Sequence, residues 1–266
     1  SYSSDGGWYD GDKIRFRQGF PEKIGGWNRI STSTFQGVCR SLWNWVTLSG
    51  FNLVSVGTNL KFYLEQGGAY NDITPIRATT TNAATFAATN GSAVLTVTDS
   101  NHGASVNDFV TYSGAVSLGG AITAVVLNSE YQITEVVNGN TYKITASATA
   151  NASDSGNGGG SIVAAYQITT GQSSVVPLTG WGAGTWGGGT WGNGLASTEA
   201  VRLWSQSNFG EDLIFGPRGG NIYYWDASSG VTSRGVPLQT LGGASAVPTH
   251  QNFIAISDIN RFVFAF

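Results

Sequence analysis

Methionine is absent from this 266-residue sequence, which contains a single cysteine and two histidines. Because Cys39 has no partner, an internal disulfide is excluded, and a zinc site would need a second cysteine or a histidine cluster. We therefore expect no metal site and no cofactor. Since free cysteines are among the most buried residue types, we predict that Cys39 is a small buried apolar side chain.

Charge is scarce as well, because only 11% of the residues are charged and the formal net charge is -3. A dedicated nucleic-acid binder presents a basic face, so this balance argues against one. Low charge combined with 12% aromatic residues also argues against disorder. A coiled coil is excluded, because long heptads need Glu, Lys and Leu in quantity.

The sequence has no initiator methionine and no basic-then-apolar signal peptide at its start, and it ends on the strand-like run 262–266. We therefore expect an interior piece of a longer product, truncated at its C-terminal end. No apolar run approaches the roughly 20 residues of a membrane-spanning helix.

What the sequence does contain is a series of short alternating runs bounded by Gly, Asn or Ser, with almost no helical periodicity. This pattern predicts an all-β fold. The clearest strands form two matching pairs, offset by about 160 residues, so a unit of about 40 residues is repeated. These pairs are 53–56 with 60–64, and 213–215 with 221–225.

Each pair is preceded by a Leu-Trp step, Leu42-Trp43 or Leu203-Trp204, and followed by an extended return at 72–76 or 234–238. This order of strands is typical of a β-propeller blade, and a third unit begins at 252–256 and 261–264. We predict β-propeller-type blades interrupted by an inserted small β-barrel or sandwich domain.

The predicted domain organisation has three parts. Residues 1–78 form an N-terminal segment and the first blade, 79–165 form the inserted β-barrel domain, and 166–266 form further blades. The insert is rich in Thr, Ala, Ser, Asn and Val. Its Ala/Ser/Gly-rich run 146–160 is expected to be a flexible loop within the insert or the linker that returns from it. Its strands are expected at 94–98, 109–112, 130–136 and 141–145, with an Asn-Gly-Asn hairpin turn at 138–140.

A glycine-rich loop at 180–194 carries Trp181, Trp186 and Trp191, spaced five residues apart. Glycine frees the backbone, and each tryptophan offers a large apolar face with one N–H donor, so these side chains suit the anchoring of a loop in pockets. Two interpretations remain open. The loop either crosses its own propeller face or contacts a neighbouring subunit or partner.

The stretch from Trp8 to Trp27 contains the runs Asp12-Lys13-Ile14-Arg15-Phe16, Pro21-Glu22-Lys23 and Gly25-Gly26-Trp27. In this it resembles the opening of the tail nozzle, or packaged-DNA stabilisation, proteins of short-tailed phages. The insert, with its runs 99–110 and 127–133, resembles a small β-barrel module that recurs in phage tail proteins and in ubiquitin-activating enzymes.

The resemblance to nozzle proteins implies a structural virion protein of the tail. Six copies would form the distal tube beneath a tail adaptor ring, retaining packaged DNA and conducting it during ejection. A weakly acidic wall suits this role, because it gives passing phosphates little to bind. The implied partners are other copies in a hexamer, the adaptor protein, tail fibre or spike proteins, and genomic DNA in non-specific passage.

The N-terminal motif is the candidate interface to the adaptor or to a neighbouring subunit. The residues assigned to it are Trp8, Tyr9, Lys13, Arg15, Phe16, Arg17 and Trp27. The alternative is a solvated strand face in which Arg15, Arg17 and Lys23 pair with neighbouring acidic residues such as Glu22.

An enzymatic constellation is not recognisable in the sequence, so we expect no enzyme and no catalytic residues. His102 and His250 fall in separate predicted domains, and Asp10 and Asp12 would merely share one face of a strand. The alternative function is a carbohydrate-binding propeller or adhesion module that binds a host-surface glycan. A polysaccharide-degrading enzyme is a third candidate, which would need two carboxylates about 5 to 9.5 Å apart in a cleft.

Overall fold

The computed structural model describes residues 11–26, 29, 31–172, 201–257 and 259–266. It divides into two units, Ser1–Thr32 and Ser33–Phe266. The smaller unit contains an antiparallel hairpin of β1 (Ile14–Arg17) and β2 (Phe20–Lys23). Gln18 and Gly19, at the turn, both have positive φ, as a two-residue hairpin turn of type I′ requires.

The larger unit begins with a four-stranded antiparallel sheet, the first blade. Its strands pair in chain order: β3 (Cys39–Val46), β4 (Asn52–Thr58), β5 (Phe62–Gln66) and β6 (Ala69–Asp72). Of the two strands predicted here, 53–56 lies within β4, whereas the strand predicted at 60–64 begins two residues later, as β5.

The second blade repeats this arrangement with β15 (Trp204–Phe209), β16 (Asp212–Pro217), β17 (Tyr223–Trp225) and β18 (Val236–Pro237). Two short 3-10 helices, Ala227–Ser229 and Leu238–Thr240, flank its last strand. A two-stranded sheet follows, the third unit, made of β19 (Ile254–Ile256) and β20 (Val263–Ala265). The predicted all-β fold with repeated blades is therefore confirmed.

Between the blades in sequence lies an eight-stranded antiparallel sheet, the insert sheet. It contains β7 (Ile76–Thr81), β8 (Thr85–Ala88), β9 (Val94–Thr98), β10 (Phe109–Ser113), β11 (Glu130–Asn138), β12 (Thr141–Thr145), β13 (Asp154–Asn157) and β14 (Val163–Gln167). The short helix α1 (Ala124–Leu127) precedes β11, and the Thr123 side chain caps its first turn. The hairpin predicted at 138–140 joins β11 to β12.

The insert sheet curls around a core of its own. Inward-facing residues alternate along its strands, as Leu95 and Val97 do on β9. Tyr112 on β10 meets Phe86 on β8 across the interior with ring centroids 4.9 Å apart, although these strands are not neighbours in the sheet. This curvature confirms the predicted barrel-like insert. Its four predicted strands appear as β9, β10, β11 and β12.

The two blades pack face to face through a shared aromatic and aliphatic core. Its buried members are Trp45, Leu53, Phe62, Leu64, Ile73, Ile168, Trp204, Leu213, Phe215, Tyr223 and Trp225. The opposite face of the second blade packs on the third unit through Ile214, Ile222 and Ile254. Between blades, the backbones approach mainly at the first strands, β3 with β15 and β15 with β19. This is the geometry of consecutive propeller blades.

One docking arrangement occurs at both blade junctions. A Cβ on Gly57 would lie 2.5 Å from the ring of Trp204, whose indole Nε1 donates to the carbonyl of Thr58 at 2.6 Å. A Cβ on Gly216 would lie 2.7 Å from the amide of Gln251, which donates to the carbonyl of Pro217 at 2.9 Å. In each blade, a glycine on the second strand therefore leaves room for a side chain from the start of the next unit. That side chain is Trp204, the first residue of β15, in one case, and Gln251, which precedes β19, in the other.

The strand register corrects the sequence match between the blades. Ser41 pairs with Gly57 and Ser205 pairs with Gly216, so the two serines occupy equivalent positions. Trp43 therefore corresponds to Ser207 and not to Trp204, because the Leu-Trp steps are similar in sequence but lie at different points of the strand.

The return strands also differ from the prediction. The first return, expected at 72–76, is β6 at Ala69–Asp72, and the second, expected at 234–238, is limited to Val236–Pro237. Residue 73 begins the crossing to the insert, because Ile73 donates to the carbonyl of Phe62 and packs in the core between the blades.

Two further expectations were wrong. Cys39 is exposed at the start of β3, and its thiol lies 3.7 Å from the carbonyl of Ser41, so its position at the beginning of an edge strand overrides its apolar character. The run 146–160 is not simply a flexible loop, because it contains β13, paired with β8, and two of its alanines donate to the carbonyls of Ala93 and Ser92. Within the described residues, no helix is long and apolar enough to cross a bilayer.

Candidate functional site

The N-terminal hairpin carries four of the predicted interface residues, Lys13, Arg15, Phe16 and Arg17. Ten of its residues, 14–23, form two strands and a turn, and nine of these are exposed. Cross-strand pairing places Arg15 opposite Glu22 and Phe16 opposite Pro21. Basic and aromatic side chains therefore alternate along β1, with Arg15 and Arg17 on one face and Phe16 on the other.

The exposed surface of this hairpin carries one ion pair and two aromatic side chains. Arg15 Nε donates to Glu22 Oε2 at 2.9 Å, so this arginine is self-paired on the exposed surface. Phe16 and Phe20 are 53% and 76% exposed. A two-stranded hairpin alone is only marginally stable in water, so additional contacts would stabilise this one.

Several predicted site residues lie outside the described residues, namely Trp8, Tyr9, Trp27, Trp181, Trp186 and Trp191. Both interpretations of the tryptophan loop therefore remain predictions. The same holds for Asp10, whereas Asp12 lies in the described range and is exposed.

His102 occupies a structural position. Its Nε2 lies 3.0 Å from the carbonyl of Asn138, and its Nδ1 accepts from the backbone N–H of Ala104 at 3.0 Å. The ring is buried and packs against Tyr142 with centroids 4.8 Å apart. With both nitrogens engaged, His102 ties the loop after β9 to the β11–β12 hairpin. His250, by contrast, is exposed.

The blades and the insert sheet meet at a group of five polar residues, the junction cluster, which no local sequence pattern indicates. Its members are Lys61, Asp72, Glu130, Gln167 and Arg234. Lys61 precedes β5, Asp72 ends β6, Glu130 begins β11, Gln167 ends β14, and Arg234 precedes β18. Three parts of the fold, separated along the chain, thus contribute to one site.

Ion pairs and hydrogen bonds join the members of the junction cluster. Lys61 Nζ donates to Asp72 Oδ2 at 2.8 Å and also to Glu130. Arg234 lies 3.4 Å from Asp72 and 3.6 Å from Glu130. The amide of Gln167 donates to Glu130 at 2.6 Å and to Asp72 at 3.2 Å. Two positive and two negative side chains therefore neutralise one another.

Burial and charge act in opposite directions on the pKa of Asp72. Burial raises it, but the nearby charges of Lys61 and Arg234, with hydrogen bonds from Lys61 and Thr74, outweigh that effect and hold it below 3.8. Burial, together with the adjacent carboxylates, raises the pKa of Tyr63 to about 12. Asp72 is thus ionised and Tyr63 neutral at ordinary pH.

Asp72 and Glu130 are two carboxylates that contact the same lysine, so they deserve comparison with a glycosidase pair. A general acid in such a pair needs a raised pKa, so that it holds a proton at working pH. Asp72 has a lowered pKa, and both carboxylates already accept hydrogen bonds from Lys61 and Gln167. The arrangement is suited to holding structure together rather than to transferring a proton.

A second polar network lies inside the insert sheet. Tyr166 and Thr80 each donate to Asp99 Oδ2 at 2.6 Å, and Tyr142 lies 2.9 Å from Tyr166. Tyr112 extends the chain through a hydrogen bond with Tyr142. Burial raises the pKa of all three tyrosines, that of Tyr142 to about 12.

Asp108 is the described carboxyl group whose pKa is raised. Burial is the largest cause, and it outweighs hydrogen bonds from the backbone N–H groups of Ser105 and Thr170. The side chain is 1% exposed and links the loop before β10 to the segment after β14. It is occupied and closed to solvent, so it does not offer a catalytic acid. Within the described residues, no group of three His, Cys, Asp or Glu side chains is placed to hold a metal ion.

The outward face of the third unit is strongly apolar. Phe262, Phe264 and Phe266 alternate along one strand direction and are 61%, 48% and 69% exposed. Phe264 pairs with Ala255, on the side opposite the residues that pack on the second blade. Such a stripe is typical of a surface that is covered in an assembly.

Comparison with known proteins gives few relatives. No protein-family model and no curated protein matches this sequence. Among solved structures, the chain is similar to the phage phi92 endosialidase, with 15% identity, a TM-score of 0.29, and coverage of 82% of this chain. The chain spans about a third of that protein's length, 32%. A TM-score this low indicates neither a shared fold nor a shared function.

Proposed function

We propose that this protein is a structural component of a phage virion tail, and more specifically a nozzle subunit of a short-tailed phage. In this role six copies form the distal tube beneath the adaptor ring, retain packaged DNA and conduct it during ejection. The proposed role is structural and involves no catalysis. The observation that carries it is the N-terminal hairpin, which bears the nozzle-like motif on an exposed ribbon with two exposed aromatic rings.

A two-stranded ribbon is only marginally stable on its own, so contacts with a partner would stabilise the N-terminal hairpin. Exposed aromatic rings flanked by arginines are the residue types enriched where protein surfaces bind one another. Docking on the adaptor or on a neighbouring subunit would bury Phe16 and Phe20 and place Lys13, Arg15 and Arg17 beside the partner. The phenylalanine stripe of the third unit supplies a second apolar surface for contacts in an assembly.

The test is electron microscopy of the protein, alone and mixed with the tail adaptor of the same phage. We expect closed rings with sixfold symmetry and an open or gated lumen, attached to the adaptor ring in the mixture. Isolated monomers under both conditions would contradict the proposal. A glycan array would then be the next experiment, because specific binding by a monomer would favour the carbohydrate-binding alternative.

A further inference from the structure

The insert sheet is joined to the blades by two adjacent crossings of the chain. The outgoing crossing, 73–75, leaves the first blade after β6, and the returning crossing, 168–171, follows β14. They are hydrogen-bonded to each other, because Ile168 donates to the carbonyl of Pro75 at 3.0 Å. Because the two crossings lie side by side, they can act together as a hinge between the insert sheet and the blades. Contacts between side chains outside the crossings then fix the orientation of the insert sheet relative to the blades.

Glu130 is placed to fix that angle. It begins β11, a strand that neither crossing enters directly, and it contacts cations from both blades: Lys61 of the first and Arg234 of the second. Gln167, at the end of β14, holds the other Glu130 oxygen at 2.6 Å. The groups that face Glu130 are thus Lys61, Arg234 and Gln167, with Asp72 and Tyr63 behind them.

Lys61 depends strongly on these contacts because its side chain is buried. The side chain of Lys61 is 3% exposed, and its ammonium lies 4.3 Å from the centre of the Phe109 ring on β10. A buried ammonium cannot turn to water when a carboxylate partner is removed, so loss of one partner is felt strongly. Asp72 alone would then hold Lys61 within the first blade and leave the insert without this contact.

We propose that Glu130 is an electrostatic latch that sets the orientation of the insert sheet on the two blades. With the latch closed, the insert and the blades move as one body. With Glu130 neutralised, the insert swings about the two crossings, while its own core and that between the blades stay intact. The latch is a conformational device that holds whether or not the protein is a nozzle subunit.

The test measures the distance between two spin labels in the full chain. Cys39 is exposed on the first blade and supplies one label site, and Thr98→Cys, exposed on β9, supplies the other. We expect a narrow distance distribution in the labelled parent. Glu130→Gln keeps the side-chain size and removes the charge, and we expect it to broaden the distribution about twofold.

The matched control is Glu135→Gln, on the same strand. Glu135 pairs with Lys143 at 2.8 Å on the exposed face of the insert, so its neutralisation should leave the distribution narrow. If Glu130→Gln fails to fold, Arg234→Gln, whose side chain is 30% exposed, replaces it and should also broaden the distribution. A narrow distribution in whichever latch variant folds, or equal broadening in the Glu135→Gln control, would overturn the proposal.

Discussion

The ring of Phe62 stacks on the ring of Phe215, with centroids 4.2 Å apart and planes inclined by 11°. Phe62 belongs to the third strand of the first blade and Phe215 to the second strand of the second blade, and neither is exposed. The pair therefore lies at the centre of the core that joins the two blades.

Removing one of these rings should weaken the joint between the blades. We expect Phe215→Ala to lower the free energy of unfolding by about 3–5 kcal/mol, because a buried phenylalanine leaves a cavity. Urea denaturation followed by tryptophan fluorescence measures this. Phe264→Ala, at an exposed ring of the third unit, is the control and should cost much less. Equal losses for the two variants would show that Phe215 is not central.

The close approach of Trp204 to Gly57 predicts a cost for a single methyl group. A Cβ at position 57 would lie 2.5 Å from the Trp204 ring and from Ser41 Oγ, so Gly57→Ala should destabilise the protein by about 1–3 kcal/mol through overpacking. Gly139→Ala is the control, because its Cβ would meet no atom within 4 Å. The unfolding midpoints in urea should separate the two variants, and coincident midpoints would refute the packing argument.

The N-terminal hairpin gives a prediction about attachment. Replacing both Arg15 and Arg17 with glutamate reverses the charge on one face of the ribbon, so we expect the variant to lose binding to the tail adaptor in a pull-down assay. Lys143→Glu, on the insert, is the control and should bind normally. Normal attachment of the double variant would rule out this face as the docking surface.

The lowered pKa of Asp72 predicts how stability changes with pH. The unfolded chain binds a proton near pH 3.8, whereas the folded protein binds it only at lower pH. The stabilisation is therefore fully present above pH 3.8 and is lost as the pH falls through the folded pKa. Asp72→Asn should flatten the fall in unfolding free energy below pH 4, as measured by urea denaturation at a series of pH values. An unchanged profile for Asp72→Asn would contradict the assignment.

The tyrosine chain predicts unequal effects of removing single hydroxyl groups. Tyr166→Phe leaves the buried Asp99 with Thr80 as its remaining side-chain donor within the described structure, so we expect a loss of about 2–3 kcal/mol. Tyr112→Phe removes the hydroxyl at the far end of the chain and should cost about 1 kcal/mol. Thermal or urea unfolding measures both, and a larger loss for Tyr112→Phe would reverse our account of the network.

Much of the fold was readable from the sequence. Alternation of apolar residues located β9 and β12 to the residue, and the repeated strand pairs identified both blades. Strands rich in small residues were harder, because β13 (Asp154–Asn157) has no apolar alternation and is held by backbone pairing with β8. Cys39 was misjudged because burial depends on place in the sheet as well as on residue type.

The junction cluster could not be predicted, for a different reason. Lys61, Glu130 and Arg234 are far apart along the chain, and each resembles an ordinary surface charge in its local sequence. Only the crossing of the chain between blade and insert brings them within ion-pair distance of one another. The structural role of these three charged residues depends on the topology of the fold, which local sequence patterns do not encode.

The joint between the first two blades brings side chains of different kinds to different points. At Gly57 the ring of Trp204 lies against the backbone, whereas at another point the rings of Trp45 and Trp225 lie between the blades with centroids 6.3 Å apart. The angle between these two blades therefore depends on the volumes of a few aromatic side chains, and a change of ring size at either place should tilt one blade relative to the other.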